Sequence, residues 1–492
     1  MVHALALALS VSPSSLALNP AQQATLSVSG AVPPLTATLD RRLVAVAVNA
    51  AGTLVTVTAT QATGSDVLHL ADAADDTADV PIRVAFNAGT IAPQISLVVT
   101  GSPLSPDWLA AQIHDAVTNA TQALAGAQVT VATPTPTPLA PGATATVNVP
   151  VNIAGDGLYF DASGSTNVSV THEALAPQVP EMLFYDDDPE DVDGSGILYR
   201  GSVSVAAPVR LYTYHEDRGL PRTIAVVLEA AQPSRVQLID APAGPSTDVM
   251  SVGHAVGVEY LTQEPADEGT IVSLSASTPY VLSDTPAADG QLVAEALDMR
   301  VLSGGPVSVT LLSLSGNDPL QWLDEPPLPG DGHHRRGVFD LGGFGDEEET
   351  YGVGGPGVSV VYGGRHPTPR NVRPDSEGRD YGDYGVLHRF VFTLENPTDT
   401  QAYAYLYERP SGQPVRSSFL VDGSLLQVGC AREPVPYLVQ AYVLAPDSRY
   451  QVVVVTMTDG GSSYPLELGI TASLPAVKPP PIDAPGGCFP KS

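Results

Sequence analysis

Short segments of alternating apolar and polar residues recur along this chain and constrain its fold more than any other feature. Residues 24–30 read Ala-Thr-Leu-Ser-Val-Ser-Gly, and residues 54–59 read Leu-Val-Thr-Val-Thr-Ala. Successive side chains of a strand point to opposite faces, so this pattern predicts strands with one buried face. Turn residues separate the segments at intervals of about 8–12 residues, which is typical of β-sandwiches. The sequence therefore predicts a mainly β protein, a multi-domain string of Ig-like and other β-sandwich modules.

Length and charge narrow the class of protein. A chain of 492 residues is too long for one ordinary core and predicts three or four domains of about 100–200 residues each. The net charge of −31 excludes nucleic acid as the natural partner, because phosphate binding needs clustered Lys and Arg. The sequence has no run of about 18 apolar residues, so we expect no membrane insertion.

The predicted organisation has six parts, and one of them contains a helix. Ser105 can cap this helix, Pro106 suits its first turn, and Ile113 and Val117 follow at helical spacing before its predicted end near Leu124. The six parts are an Ig-like β-sandwich at 1–96, a small α+β module with one helix at 97–178, a β-sandwich at 179–320, an irregular Gly/Pro/acidic connecting segment at 321–382, a β-sandwich at 383–475 and a Pro-rich tail at 476–492.

Residues from about 180 to 475 carry motifs that resemble a family of secreted bacterial proteins. The motifs include Asp187-Asp188-Pro189-Glu190, Gly196-Ile197-Leu198-Tyr199 and Asp383-Tyr384-Gly385-Val386. Members of this family are often labelled copper-amine-oxidase-like, and the resemblance covers their non-catalytic region. True copper amine oxidases form their quinone cofactor from a Tyr that follows an Asn, and no Asn of this sequence precedes a Tyr. The resemblance therefore implies a fold and a cell-surface setting, but no reaction.

The first residues form an apolar segment whose only ionisable side chain is His3. The segment resembles the apolar core of a signal peptide, although no basic residue precedes it. Residues from about 1 to 96 resemble the Ig-like domains of bacterial surface adhesins through Ser-Pro-Ser-Ser at 12–15 and Leu-Asn-Pro-Ala-Gln-Gln-Ala-Thr at 18–25. In the apolar first segment, the bulky side chains that alternate with small ones are Leu5, Leu7, Leu9 and Val11. Such a strand could complete an open sheet edge of another copy, or it could pair within its own module.

An acidic run at 185–194 separates the charge-poor first part of the chain from the richer second part. Calcium prefers several oxygen ligands from a turning loop, so this composition could hold the ion. The spacing is not that of an EF-hand, and a solvated turn between domains is the alternative interpretation. The candidate ligands are Asp186, Asp188, Glu190, Asp191 and Asp193.

The chain has two cysteines, Cys430 and Cys488. If they form a disulfide, it ties the Pro-rich tail to the last domain and stabilises the fold by about 4 kcal/mol. Two unpaired thiols are the alternative.

Tyrosines and histidines supply the remaining candidate functional groups. Tyrosines alternate along two predicted strands, Tyr199, Tyr212 and Tyr214 in one region and Tyr403, Tyr405 and Tyr407 in another. Such rows form core or cross-strand ladders, or they stack against a sugar. We predict His254 to be a packed, hydrogen-bonded structural residue rather than a catalytic one. The adjacent His333 and His334 point opposite ways in an extended segment, so we do not expect them to share one metal ion.

These patterns predict a non-enzymatic extracellular structural protein of the bacterial cell surface. We expect it to assemble with copies of itself into a filament or sheath by strand addition between subunits. An adhesin or carbohydrate-binding protein that recognises cell-surface glycans is the alternative. No cofactor is expected apart from calcium at the acidic run, and an enzyme that depends on calcium or copper is a third hypothesis.

Overall fold

The computed structural model describes residues 8–177, 179–205, 207–316, 318–482 and 488. These residues form two compact units. Unit 1 comprises the described residues up to Leu97, together with Pro106–Leu139 and Thr144–Thr171. Unit 2 comprises Val98–Ser105, Ala140–Ala143 and the described residues from His172 onward.

Unit 1 begins with a two-sheet sandwich, as the alternation predicted. Its strands are β1 (Ser10–Ser12), β2 (Leu16–Leu18), β3 (Gln23–Ser29), β4 (Thr36–Leu39), β5 (Val44–Val48), β6 (Leu54–Ala59), β7 (Gly64–Ala71) and β8 (Thr77–Val84). One sheet has the order β1-β3-β6-β5 and the other β2-β8-β7-β4. The inward residues of both sheets, among them Leu26, Val57 and Leu68, form one core.

The rest of unit 1 contains the predicted helix and a strand meander. The elements are β9 (Gly89–Thr90), β10 (Gln94–Thr100, whose last residues belong to unit 2), α1 (Pro106–Ala120), β11 (Gln122–Ala123), β12 (Gln128–Val131), β13 (Thr144–Ala154) and β14 (Ala162–His172). The helix is confirmed, and its buried face carries Leu109, Ile113 and Val117 at helical spacing. The boundary that we predicted at residue 96 is not a boundary between compact units, since most of 97–178 belongs to unit 1.

Unit 2 begins with a large sandwich. Its elements are β15 (Met182–Asp186), β16 (Asp191–Val192), β17 (Gly196–Val203), β18 (Val209–Asp217), β19 (Arg222–Ala230), β20 (Ser234–Ser246), α2 (Val249–Gln263), β21 (Gly269–Leu274), β22 (Tyr280–Ala287), β23 (Leu292–Ser303) and β24 (Val307–Leu314), with short 3₁₀ helices at Glu264–Ala266 and Pro319–Trp322. Strands β21-β20-β23-β18-β15 face the four-stranded sheet β17-β24-β19-β22. Leu211, Val226 and Val309 lie in the core between the two sheets.

The second sandwich of unit 2 follows. The strands of this part of the chain are β25 (Arg336–Asp340), β26 (Glu347–Gly352), β27 (Val358–Tyr362), β28 (Thr368–Val372), β29 (Leu387–Asn396), β30 (Ala402–Pro410), β31 (Val415–Val421), β32 (Ser424–Ala431), β33 (Tyr437–Leu444), β34 (Ser448–Met457) and β35 (Leu466–Thr471). β25 and β28 extend the first sandwich, and the others form the second. Sheet β26-β29-β34-β31-β32 faces sheet β27-β35-β30-β33. Phe390, Leu406 and Val452 lie in the core between them.

The prediction of an irregular connecting segment at 321–382 is wrong. The segment contains four strands, which are divided between the two sandwiches of unit 2. β25 pairs with β15 and β28 pairs with β25, so both extend the first sandwich. β26 pairs with β29 and β27 pairs with β35, so both belong to the second. These strands are short and are separated by glycine-rich connections. Partners far along the chain, rather than local propensity, fix them.

Helix α2 was not predicted, since the one helix expected from the sequence lies in the module at 97–178. It packs on β20 and β23 of the first sandwich and on β31 and β34 of the second. Most residues of the helix are buried and its exposed face is narrow, with Ala255, Glu259 and Thr262, so the polar stripe from which a helix is recognised in sequence is weak. The signal that we missed is Asp248, whose side chain caps the helix by accepting a hydrogen bond from the Ser251 N–H at 3.2 Å.

The two cysteines are joined in a disulfide. Cys430 lies on β32, and Pro480 and Pro481 of the tail lie beside this strand, where the Gly429 N–H donates to the Pro480 carbonyl at 3.1 Å. The Pro-rich tail is therefore attached to the last sandwich by hydrogen bonding as well as by the covalent link.

Candidate functional site

The acidic run follows β15 into the interior of unit 2. Asp186, Asp187 and Asp188 are all buried, so the first part of the run is not a solvated turn, whereas Asp191 and Asp193 are exposed. Buried carboxylates require partners. Arg335 is the partner of Asp187, and Arg336 is the partner of Asp188.

The five candidate calcium ligands do not converge. Asp186 lies 3.3 Å from His215 Nε2, and Asp188 lies 3.9 Å from Arg336. Glu190 lies 2.7 Å from His334 Nε2, and Asp191 accepts from Arg218 at 2.8 Å. Asp193 is exposed.

Four of these five carboxylates are thus matched with separate cationic or imidazole groups. Across the described ranges of the chain, no three His, Cys, Asp or Glu side chains are grouped so that they could hold a metal ion.

The structure instead brings part of the acidic run together with residues from four other places in unit 2, three of which supply tyrosines. They surround a cavity of about 370 Å³ that we call the tyrosine pocket. It is lined by Tyr185 of β15, Asp187 and Glu190 of the loop after it, Tyr212 and Tyr214 of β18, His334 and Arg335 before β25, Tyr381, Gly382 and Tyr384 before β29, and the loop Gly460–Tyr464 between β34 and β35.

Strand β18 places its two tyrosines in the pocket because it is buried on both faces. Val209 and Leu211 point into the first sandwich, while Tyr212 and Tyr214 point to the opposite side, toward α2 and Met457. The predicted tyrosine row is therefore split, since Tyr199 belongs to the core of the first sandwich. Tyr212 stacks on Tyr185 with ring centroids 5.6 Å apart.

Arg335 is the central charge of the tyrosine pocket. Its guanidinium lies 3.3 Å from Asp187, and its Cζ lies 5.7 Å from the ring centroid of Tyr185 and 5.8 Å from that of Tyr384. Burial alone would lower the pKa of Arg335, but Tyr185 and Asp187 raise it, so the residue stays charged. Burial raises the pKa of Asp187 to about 6, against the opposing effect of Arg335.

His334 adds a second positive charge beside Arg335. Its Nε2 lies 2.7 Å from Glu190 and its Nδ1 2.7 Å from Asp331. The hydrogen bond with Glu190 is the largest cause that raises the pKa of His334, to about 9. At neutral pH the histidine is therefore protonated, and the pocket presents paired opposite charges rather than one sign.

Glycines allow the loop Gly460–Tyr464 to pack closely against two tyrosine hydroxyl groups of the pocket. A Cβ on Gly460 would lie 2.6 Å from the Tyr212 hydroxyl, and a Cβ on Gly461 would lie 2.6 Å from the Tyr214 hydroxyl. Tyr214 donates to the Val249 carbonyl at 3.3 Å. The Tyr212 hydroxyl is buried and has no hydrogen-bond partner among the described residues. A polar ligand could satisfy this group.

His254 of α2 fixes the loop that carries these glycines. Its Nδ1 lies 2.6 Å from Asp459 and its Nε2 lies 2.8 Å from Gln427. Ser418 donates to Asp459 at 2.8 Å, so the carboxylate stands between the serine and the histidine. A serine triad requires the histidine in the middle position. Both ring nitrogens of His254 are therefore hydrogen-bonded, as expected for a structural histidine.

Sequence reasoning identified the acidic run and the row Tyr212/Tyr214 but not the residues opposite them. The motif Asp383-Tyr384-Gly385-Val386 was noted only as part of a family resemblance. The loop Gly460–Tyr464 carries a Gly-Gly pair beside a Tyr, a signal of close backbone approach that could have been used. The other tyrosine row lies outside the pocket, with Tyr403 exposed and Tyr407 buried.

No family model matches the chain, and no curated protein matches it. Several solved structures of β-sandwich proteins are similar over part of the chain. The I-band fragment I67–I69 of titin is 11% identical, with 43% of this chain and 81% of that one covered and a TM-score of 0.15. The fibronectin(III)-like modules of Clostridium thermocellum CbhA are 12% identical, with 35% and 98% covered and a TM-score of 0.16. Cadherin domains 1–4 of protocadherin gamma B7 are 13% identical, with 57% and 75% covered and a TM-score of 0.14.

Superpositions with such low TM-scores carry no argument about function. The mainly β, multi-domain fold class is evident from the strands of the chain itself, which the structure confirms. Neither helix of the described chain is long and apolar enough to span a membrane.

Proposed function

We propose that this chain is a non-enzymatic, extracellular protein of the bacterial surface with a structural or adhesive role, and that the tyrosine pocket binds carbohydrate. The observation that carries the proposal is the lining of the pocket. Sugars offer apolar C–H faces to aromatic rings and hydroxyl groups to polar side chains, and this pocket presents both. Its volume of about 370 Å³ lies within the usual range of about 300–1,000 Å³ for small-molecule sites.

The balance of charge favours a neutral, hydroxyl-rich ligand. Asp187 is paired with Arg335, and Glu190 is paired with His334. A strongly charged ligand would have to displace one member of each pair and leave the other buried without a partner, which is costly. Hydroxyl groups can bond to these pairs without separating them.

Replacement of Tyr381 provides the first test of carbohydrate binding. Its side chain is 48% exposed at the pocket. The ring contacts that of His366 at a centroid distance of 4.9 Å, and its exposed surface can stack on a sugar. Loss of an aromatic contact of about 0.5–1.5 kcal/mol weakens Kd roughly two- to tenfold. We expect Tyr381→Ala to reduce binding by this factor on a glycan array followed by calorimetry.

Tyr403→Ala is the matched control, since Tyr403 is 51% exposed on β30 and lies outside the pocket. Tyr212→Phe is a second variant that removes one hydroxyl group and keeps the ring. We expect it to weaken binding without lowering stability, because that hydroxyl has no partner among the described residues. Equal binding by the Tyr381 and Tyr403 variants, or the absence of any glycan ligand, would contradict the proposal.

A second candidate function is self-assembly into a surface filament or sheath. The observation that favours it is that β17, β22 and β28 each end a sheet of unit 2, and unpaired edges can accept a strand from another chain. Imaging and sedimentation of the purified protein over a range of concentrations would test it. Particles that stay monomeric at the highest concentration would exclude this second function and leave carbohydrate binding untouched.

A further inference from the structure

An apolar groove of about 570 Å³ runs along the open side of the first sandwich of unit 2. We call it the edge groove. Every residue from Ile197 to Ser202 of β17 lines it, and Met182, Phe184 and Val338 contribute apolar side chains from β15 and β25. Asn371 of β28 closes the far side. The groove therefore lies between the outermost strands of the two facing sheets.

Strand β17 has one free edge along this groove. β24 is the one strand of the described chain that pairs with it. At its start, the Leu328 N–H donates to the Ile197 carbonyl at 2.8 Å, and this contact covers the first residues of the edge. From Tyr199 to Val203 the edge carries no further strand among the described residues. Alternate N–H and C=O groups on such an edge point outward and can pair with an added strand.

The arginines beside the edge groove are already engaged. Arg373 is paired with Asp375 at 2.6 Å, Arg336 donates to the Leu328 carbonyl at 2.9 Å, and Arg200 donates to Thr310 at 3.1 Å. The groove therefore offers an apolar floor and a strand edge rather than free cations, which suits an uncharged extended segment better than an anion.

Residues 2–8 of this chain have the matching sequence. Leu5 and Leu7 alternate with Ala4, Ala6 and Ala8, so an extended chain has one bulky and one small face. The residues that follow already pack within their own module. β1 pairs with β3, and Leu9 and Val11 contact the core of the sandwich. Leu5 and Leu7 lie outside the described residues. Seven residues of strand span about 23 Å, a length comparable to that of β17 with its eight residues.

We infer that residues 2–8 of one copy add as a strand to β17 of a second copy, with Leu5 and Leu7 seated in the edge groove. The inference rests on the proposed self-assembly and names its donor and its acceptor. The contact is head-to-tail, so each copy has a free donor and a free acceptor, and assembly continues unless the ring closes.

Complementary variants of the full-length chain test the pairing. Leu5→Asp/Leu7→Asp removes the donor, and Val338→Glu places a charge in the acceptor. We expect each variant alone to sediment as a monomer at concentrations at which the unmodified chain assembles. An equimolar mixture leaves one intact donor on one partner and one intact acceptor on the other, and it should give a 1:1 dimer and nothing larger.

Matched controls carry the same changes elsewhere. Ala4→Asp/Ala6→Asp places two charges on the small face of the donor, and Val361→Glu alters a valine that is 57% exposed on β27. Both should assemble like the unmodified chain. Assembly of Val338→Glu at the unmodified level, or a mixture that remains monomeric, would overturn the inference while self-assembly stands. An unmodified chain that never assembles would overturn both.

A cross-link tests the contact without a buried charge. Both native cysteines are in the disulfide, so an introduced thiol is the sole free one in its chain. A chain with Leu7→Cys mixed with a chain with the exposed Ser202→Cys should form a covalent dimer under mild oxidation. Leu7→Cys mixed with Val443→Cys, at a position 62% exposed on β33, should not. Equal yields from the two mixtures would overturn the inference.

Discussion

Glu408 is a carboxyl group enclosed in the second sandwich of unit 2. It lies on β30, and neither of its carboxyl oxygens has a hydrogen-bond partner among the described residues. Burial raises its pKa from 4.5 to about 8. The folded state therefore holds a proton that the unfolded chain releases near pH 4.5. The contribution of this group to stability is complete below pH 4.5 and is lost as the pH rises to about 8.

We expect Glu408→Gln to remove this pH dependence. At pH 9 the variant should be more stable than the unmodified chain by about 5 kcal/mol, because the pKa rises from 4.5 to about 8 on folding and one pKa unit corresponds to about 1.4 kcal/mol. At pH 4.5 the two should be nearly equal. Urea unfolding at pH 4.5, 7 and 9 measures the difference. Glu348→Gln, the same change at an exposed position of β26, should leave the pH profile unaltered. If the stability of Glu408→Gln changes with pH in the same way as that of the unmodified chain, the Glu408 carboxyl is solvated rather than buried.

At the scale of elements, α2 shows how packing overrides local preference. Two of its buried residues are Gly253 and Gly257, although glycine costs about 1 kcal/mol relative to alanine in a helix. A Cβ on Gly253 would collide with the carbonyl oxygen of Gly460, and a Cβ on Gly257 would collide with Asp459. The glycines therefore allow the helix to approach the loop that lines the tyrosine pocket.

Gly253→Ala should consequently destabilise unit 2 rather than stabilise it. We expect a loss of about 1–3 kcal/mol from overpacking, together with weaker carbohydrate binding because the pocket loop moves. Ala255→Gly is the control on the exposed face of the same helix, and it should cost about 1 kcal/mol without a change in binding. Chemical denaturation and calorimetry measure both effects. A gain in stability for Gly253→Ala would show that helix and loop are not in close contact.

At the scale of the whole molecule, the chain divides into two units with separate cores, and unit 2 contains most of the polar side chains that are buried. The disulfide is the one covalent constraint, and it closes a loop with a sequence separation of 58 residues in unit 2. A cross-link of this span restricts the unfolded chain and stabilises the folded state by about 4 kcal/mol.

Reduction should therefore lower the stability of unit 2 by about 2–4 kcal/mol. Urea unfolding with and without a reducing agent measures the change, and proteolysis of the tail reports whether residues 476–482 detach. The Cys430→Ser/Cys488→Ser variant should unfold like the reduced chain and should not respond to the reductant. Identical curves for the oxidised and reduced chains would show that the tail contributes no constraint.

The sequence by itself determined the class of fold, the helix α1 and the pairing of Cys430 with Cys488 as one of two alternatives. These features depend on local patterns, namely side-chain alternation, helical spacing and the number of cysteines. Only the tertiary structure decided where the acidic run lies, which strands 321–382 contributes and that α2 exists. Asp187 meets Arg335 across 148 residues, and Tyr212 meets the loop at Gly460 across an even longer stretch. No local pattern contains such contacts, because burial on both faces removes the alternation from which a strand or helix is recognised.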